Sequence, residues 1–481
     1  MVSPLNSARS SPFTQMKLTR KWVLVGVFAV LAVTFGIHSL QTVNVSKTAS
    51  PDLFHSTVPA NGECSAQTQS SQGPWMVPAN YLNYDHPTTL GRDNLQKDSH
   101  YVTSFPVAGF TNKFIAYMHL IYQGVLSNRI PIVPPIIPPG WVPIDAGMIP
   151  FGDLFNLTNL RANLRSPVLE WTDVKLLKPN ASVQDENVGD DPTLERIGCW
   201  STRKRSSFSP TFVGHAENLL KLDLSFTRVP DFAYFNETDQ DEFHTKFSSL
   251  AALTWPKHPH PSAHDRPLMA KSRFGARLPP EDQLACFDLL YFVSTGVKRY
   301  EFENRWSPVW NTVGTHLTFT QPLMDITQGY LRRALKIGEK EEMPAIITAH
   351  IRRNDFKFKC KDGQEPPCYM PIHKYVEAVS EIQKELTEKR NIKATRVFVS
   401  SDETELSFWD EVASLGWTFF NHTAEQTIEK YGDWYPLLID KVALSSGVGF
   451  VGTSPSTFSV LNARRVEDWN NGITKMLNYY I

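Results

Sequence analysis

The chain has 481 residues, with 48 Lys and Arg against 49 Asp and Glu and a formal net charge of −1. At roughly 150 residues per domain, that length allows two or three domains. An apolar fraction of 41% and a charged fraction of 20% exclude a disordered or collagen-like chain, and the even charge balance lacks the basic excess of a nucleic-acid binder.

Residues 22–40 read WVLVGVFAVLAVTFGIHSL. At 1.5 Å per residue this run spans about 28 Å, close to a thin bilayer core. Arg9, Lys17, Arg20 and Lys21 precede it, and the first acid in the chain is Asp52. Positive flanking charge predicts a cytosolic tail (1–21), a transmembrane signal anchor (22–40) and a lumenal remainder, the topology of a single-pass type II protein of the ER or Golgi membrane. A cleaved signal peptide is the alternative, but no clean Ala-x-Ala site follows the apolar run. Residues 41–75 are rich in Ser, Thr, Gln and Asn and read as a flexible stalk. Five Asn-x-Ser/Thr sequons, at Asn44, Asn156, Asn180, Asn236 and Asn421, are consistent with lumenal exposure. A lumenal site permits disulfides, and five cysteines leave at least one unpaired within the monomer. Cys360 and Cys368 flank a Pro/Gly-containing loop that suits a local bridge.

Beyond the stalk the chain alternates strand-like and helix-like segments, an α/β pattern without an internal repeat. Tyr101-Val102-Thr103 is a short strand, and Gly109-Phe110-Thr111-Asn112 is a turn. Residues 113–126 carry apolar side chains at three- and four-residue spacing, which predicts a helix. After Asn128-Arg129 comes the strand IPIVPPIIPPGWVP. This is a βαβ unit whose turn lies at the C-terminal end of its first strand, where open α/β sheets bind ligands. The expected N-terminal Rossmann-like domain runs over 76–335. Its middle is hard to read. His258, His260 and His264 lie in a Pro-rich segment, and Asp239 and Asp241 form an Asp-x-Asp in an acidic stretch. Solvated loops account for both better than a metal site does.

The second Rossmann-like domain is expected over 336–481. Residues 345–351 form a strand followed by Arg352-Arg353-Asn354-Asp355-Phe356. A helix at 375–386, strands at 395–400 and 417–421, a helix at 437–445 and a buried strand at 449–452 follow. Two arginines past a strand end can grip a diphosphate bidentately. Charge grows on a diphosphate as its bond to a sugar breaks, so a fixed Arg there favours the transition state. The bland alternative is an Arg pair tied up with acids such as Asp355. The run TSPSTFS (453–459) opens the last helix. Its hydroxyls and N–H groups suit a phosphate cradle, or Ser454 or Ser456 caps the helix without any ligand.

Three blocks then carry a resemblance. GFTNKFIAYMHLIYQGVLSNRIPIVPP, HIRRNDF and LIDKVALSSGVGFVGTSPSTFS resemble, in order, the nucleotide-sugar blocks of the GDP-fucose protein O-fucosyltransferases, and the pattern looks most like fungal members. The blocks cover about a fifth of the chain. The resemblance implies a GT-B fold with GDP-fucose in the cleft between two Rossmann-like domains. It also implies inverting transfer to a protein or glycan hydroxyl, with no metal and no cofactor besides the donor. By motif position, Arg352 would bind the β-phosphate and Asn112 would face the diphosphate and acceptor. His350, Asp355 and Phe356 would contact the nucleotide, with Phe356 beside the guanine. Asp440, Ser456, Thr457 and Phe458 would complete the pocket, and Arg353 would support it. Some relatives carry a Glu in the first turn as proposed base, whereas 109–112 here holds no acid. The base is unassigned, with Asp145 a weak candidate. Competing readings are a GT-B transferase using another nucleotide sugar, a fold that has lost transfer and serves as a lectin or chaperone-like binder, and a purely structural membrane protein.

Overall fold

A computed structural model describes residues 73–138, 140–177, 188–203, 208–210, 212–235, 244–264, 268–360 and 365–479. The expected tail and membrane span lie outside them, as does the stalk up to residue 72, and so do Asn44, Asn180, Asn236, Asp239 and Asp241. No helix among the described residues is long and apolar enough to cross a membrane.

The described strands, in chain order, are β1 (Tyr101–Ser104), β2 (Ile130–Val133), β3 (Leu169–Glu170), β4 (Glu195–Ser201), β5 (Leu222–Arg228), β6 (Thr245–Lys246), β7 (Met269–Ala270), β8 (Leu284–Phe287), β9 (Val293–Ser294), β10 (Ile346–Ile351), β11 (Arg396–Ser401), β12 (Gly449–Ser454) and β13 (Ile473–Asn478). Seven of them form one sheet in the order β3-β2-β1-β8-β4-β5-β7, parallel except for β7 at the edge. Four form a second, wholly parallel sheet in the order β11-β10-β12-β13. Their central strands β1, β8, β10 and β12 are buried at nearly every residue, as parallel strands covered on both faces must be.

Each sheet reverses its direction of winding next to its first strand. From β10 the chain goes to β11 on one side and then to β12 on the other, so the C-terminal ends of β10 and β12 are the switch point at which open α/β sheets bind ligands. In the first sheet the reversal lies at β1, flanked by β2 and β8. The helix Phe110–Leu126 follows β1 and is buried along most of its length, including Lys113, His119 and Gln123. Phe110 and Phe114 from this helix share one apolar cluster with Trp434, Leu438, Val442 and Leu461 from the C-terminal half. Burying such side chains contributes about 1.5–3 kcal/mol each, so this seam holds the halves together as a core does.

Several expectations shift. The helix Gln321–Leu335, the last element before the expected boundary at 335, buries Leu323 in one cluster with Phe114 and Phe319, and Leu331 and Leu335 in another with Ile346, Phe398 and Leu444. Residues 417–421 are not a strand, since Thr418 makes an isolated bridge to Phe398. The hard-to-read middle supplies five strands of the larger sheet, β3, β4, β5, β7 and β8. Cys360 and Cys368 are bridged, and a second disulfide, Cys199–Cys286, joins β4 to β8. Asn156 caps the helix Leu157–Leu164 by accepting from the Asn159 N–H, and Asn421 is exposed.

Candidate functional site

The C-terminal edges of the two parallel sheets meet. Asn112, in the first turn of the helix after β1, accepts at Oδ1 from the Thr457 hydroxyl at 2.9 Å. Thr457 opens the helix Thr457–Asn470 after β12. The helix carrying Asn112 starts at Phe110, with Gly109 at its N-cap and no side chain capping it. A Cβ at Gly109 would stand 2.6 Å from the ring of Trp141, an exposed side chain that would have to move aside.

Arg352 leaves the end of β10, and its backbone N–H donates to Thr453 Oγ1 of β12 at 3.0 Å. That hydroxyl oxygen also meets the Tyr375 hydroxyl at 2.6 Å and donates to the His350 carbonyl at 3.1 Å. One buried threonine thus pins the strand end that presents the arginine. The Arg352 guanidinium lies between two carboxylates, Asp355 at 2.7 Å and Asp402 at 2.6 Å, and its side chain is 31% exposed. Burial raises the Asp402 carboxyl above its ordinary range, and Arg352 pulls against that shift. Asp355 is largely exposed. The pairing foreseen for Asp355 is therefore present together with a second acid. Both are held by interactions that a diphosphate could replace.

Arg353 points elsewhere. Its Nε pairs with Glu403 at 2.5 Å, and its guanidinium lies 3.7 Å from the centroid of Tyr369 and 4.7 Å from that of Phe408. The hydrogen bond from Arg353 holds the Glu403 carboxyl below its ordinary range despite desolvation. Phe356 is buried edge-on against Tyr479, with the Arg352 guanidinium 5.8 Å from its ring centroid.

His350 is buried. Its Nδ1 stands 2.7 Å from Ser459 Oγ, which also accepts from the Thr453 N–H at 3.0 Å. Burial first, then the charges of Arg352 and Lys441, push its pKa well below 6.5, so the ring is neutral. Ser456 occupies the N-cap of the last helix, yet its side chain makes no capping bond. The sequence alternative of simple capping by Ser456 is not what the hydroxyl does. The helix N-terminus keeps a positive end beside Arg352's strand, a geometry suited to anions. The Phe458 ring packs 4.6 Å from His350. Asp440 accepts from Ser400 Oγ at 2.7 Å, and Ser400 is the register partner of His350.

Two buried bases adjoin this group. Lys441 Nζ donates to the Phe458 carbonyl at 3.2 Å and lies 3.9 Å over the Phe458 ring. Burial, and then Arg465, drive its pKa well below 10.5. Arg465 lies within 4.6–5.3 Å of the ring centroids of Phe114, Phe319 and Trp469, and burial brings its pKa down to about 9. Its Nε and NH1 have no hydrogen-bond partner among the described residues.

Asn112, His350, Arg352, Asp355, Asp440, Ser456, Thr457 and Phe458 thus gather where the two sheet edges meet. Arg353 and Phe356 stand behind them. Asp145 is exposed, two residues before Gly147, whose carbonyl accepts from Trp434 Nε1 at 3.0 Å. The sequence reading gave no role to Asp402, Tyr375 or Lys441, and it counted Thr453 and Ser459 among the cradle hydroxyls, whereas both are taken up in internal hydrogen bonds. For Asp402 a signal existed, since it follows β11 as Arg352 follows β10. Arg129 of the Asn-Arg pair is structural, donating to the carbonyls of Tyr101, Thr254 and Asp282. His260 stacks on Phe232 and accepts from the Ser262 N–H, and no three His, Cys, Asp or Glu among the described residues gather as a metal set.

No family model matches the chain, and no curated protein matches it. Solved structures do. POFUT1 in complex with GDP aligns over 80% of this chain and 100% of its own, at 14% identity and a TM-score of 0.48. POFUT1 in complex with GDP-fucose aligns over 79% and 99%, at 14% identity and a TM-score of 0.47. The fucosyltransferase NodZ from Bradyrhizobium aligns over 76% and 93%, at 13% identity and a TM-score of 0.37.

Proposed function

We propose that this chain is a glycosyltransferase that moves fucose from GDP-fucose to a hydroxyl of a protein or glycan acceptor. The reading takes it to be anchored by residues 22–40, with the transferase part lumenal in the ER or Golgi. The observation that carries it is Arg352. It sits at the winding reversal of a parallel sheet, opposite a helix N-terminus that no side chain caps. That site is tied through Thr457 to Asn112 of the other half.

In this reading a diphosphate displaces Asp355 and Asp402 from Arg352 and lies against the N–H groups of the last helix. The bond between the sugar's anomeric carbon and the β-phosphate oxygen breaks, and the acceptor oxygen bonds to that carbon from the opposite face. Negative charge grows on the β-phosphate and meets a guanidinium and a helix end already in place, so little reorganisation is needed. Charge supplied by the protein itself supports transfer without a metal. With no acid in 109–112, the acceptor hydroxyl gives up its proton late, to solvent water or to the departing diphosphate, in a dissociative transition state that asks little of a base. Asn112 orients the reacting groups from the opposite sheet edge.

The test is calorimetric titration of the full-length chain in detergent with GDP and GDP-fucose, without added metal, beside Arg352→Ala. Loss of a charge-assisted contact costs about 1.5–3 kcal/mol, so affinity should fall roughly tenfold or more. A folded wild type that binds neither nucleotide ends this reading and leaves another donor or a non-catalytic binding role.

A further inference from the structure

Asp440 is held from two sides. On one, Ser400 donates to Oδ2 at 2.7 Å; on the other, His422 Nε2 stands 3.1 Å from Oδ1. His422 continues inward. Its Nδ1 lies 3.0 Å from Thr427 Oγ1, and Thr427 Oγ1 lies 2.8 Å from the Tyr330 hydroxyl. A carboxylate can only accept, so Nε2 carries the proton that faces Asp440. Nδ1 of a singly protonated ring then accepts from the Thr427 O–H, and Thr427 accepts from the Tyr330 O–H. In this arrangement every donor in the chain is used, and it runs one way, from tyrosine to carboxylate.

The chain also crosses from dry to wet. Tyr330 and Thr427 are fully buried, whereas the His422 and Asp440 side chains are 21% and 23% exposed. Its members come from separate pieces of structure. Tyr330 lies on Gln321–Leu335, Thr427 opens Thr427–Tyr431, His422 precedes that short helix, and Asp440 lies on Tyr435–Ser445. Serially coupled hydrogen bonds in a low-dielectric interior strengthen one another and fix orientation. Here the orientation fixed is that of a partly open carboxylate beside the register partner of His350.

We propose that His422, backed by Thr427 and Tyr330, is a positioning residue that aims the Asp440 carboxylate at the nucleobase and thereby sets base selectivity. This rests on the reading of Asp440 as part of the nucleotide pocket. A carboxylate held flat accepts two parallel hydrogen bonds from a base with adjacent N–H donors, such as the ring N1–H and 2-amino group of guanine. Hypoxanthine lacks the amino group and supplies one. A carboxylate free to rotate loses most of that discrimination.

The test is calorimetric titration of the full-length chain in detergent with GDP and with IDP. It compares wild type, His422→Leu, His422→Gln and Tyr330→Phe, with thermal unfolding to verify the fold. Wild type should prefer GDP. His422→Leu should cut the GDP-to-IDP affinity ratio about three- to tenfold, chiefly by weakening GDP. His422→Gln, which keeps an N–H donor for Asp440, should restore part of it. Tyr330→Phe removes a single distant hydroxyl and should lower the ratio about twofold. An unchanged ratio in the folded variants, with both nucleotides weakened equally, overturns the inference and leaves the donor reading intact. A folded wild type that binds neither nucleotide overturns both. If His422→Leu does not fold, an unchanged ratio in Tyr330→Phe and His422→Gln decides against the proposal.

Discussion

Asn112 and Thr457 are 345 residues apart in sequence, and their side chains are joined by a 2.9 Å hydrogen bond. One follows the first strand of the first sheet and the other the third strand of the second sheet. Their contact registers one sheet edge on the other. It also ties the donor-side helix to the turn that faces the acceptor in the proposed reaction.

Asn112→Ala should therefore separate binding from transfer. In the proposed reading, GDP affinity should change by less than about threefold, while the transfer rate should fall about a hundredfold or more, as on removing one preorganised polar group. Calorimetry and a fucose-transfer assay, run on the same preparation, measure the two effects. Loss of GDP binding instead would move Asn112 into the donor pocket.

The neighbouring arginines should behave differently. Arg352→Lys keeps a charge without the fork. GDP affinity should drop about tenfold, with little change in stability, because a lysine ammonium can still pair with Asp355, whose side chain is 59% exposed. Arg353→Lys disturbs a nearly buried pair with Glu403 and two ring contacts. It should cost about 2–3 kcal/mol of stability. Chemical denaturation beside GDP titration checks the contrast, and equal effects at both positions would refute it.

Glu170, at the end of β3, accepts from the Gly152 N–H and is pushed by burial from 4.5 up to about 7. The folded state holds this proton more tightly than the unfolded chain does. The stabilisation is thus complete below about pH 4.5 and is lost as pH rises through 7. Glu170→Gln stays neutral and keeps an acceptor. Its stability relative to wild type should improve by on the order of 2–3 kcal/mol between pH 4.5 and 7.5. Urea denaturation at several pH values reads this out, and a pH-independent difference would contradict it.

The disulfides should differ in worth. Cys199–Cys286 closes a separation of 87 residues and Cys360–Cys368 one of 8. Loop-closure entropy gives about 4.6 and about 2.5 kcal/mol, respectively. Paired Cys→Ser replacements compared by calorimetric unfolding should rank in that order, the first pair losing more.

The local pattern of the sequence was enough to read the βαβ unit from Tyr101 and the strand before Arg352. These segments carry their own periodicity, with a 3.6-residue repeat on the helix, continuous apolar runs on buried strands, and Gly or polar residues at the turns. It was not enough for β4, β5 and β8. β8 lies far from β4 in sequence, and only pairing in one sheet makes them neighbours, as Trp200 pairs with Phe287. Nor could it show that Gln321–Leu335, read as part of 76–335, also packs against the second half, because an amphipathic helix states that it needs a partner without saying which.

The same division runs through the site. The residue types at the strand ends, Arg352, Ser456 and Thr457, follow from motif and spacing, since the ends of parallel strands are where free N–H groups and cations collect. Their division of labour does not. Tertiary structure made Arg352 the accessible arginine by placing Asp355 and Asp402 beside it, and made Arg353 a strut by closing Tyr369, Phe408 and Glu403 around it. It also gave Asp440 a His422–Thr427–Tyr330 support that no spacing reveals. Side-chain chemistry is written residue by residue in the chain. Burial and pairing, which decide whether a charge is free to act, are properties of neighbours that only folding brings together.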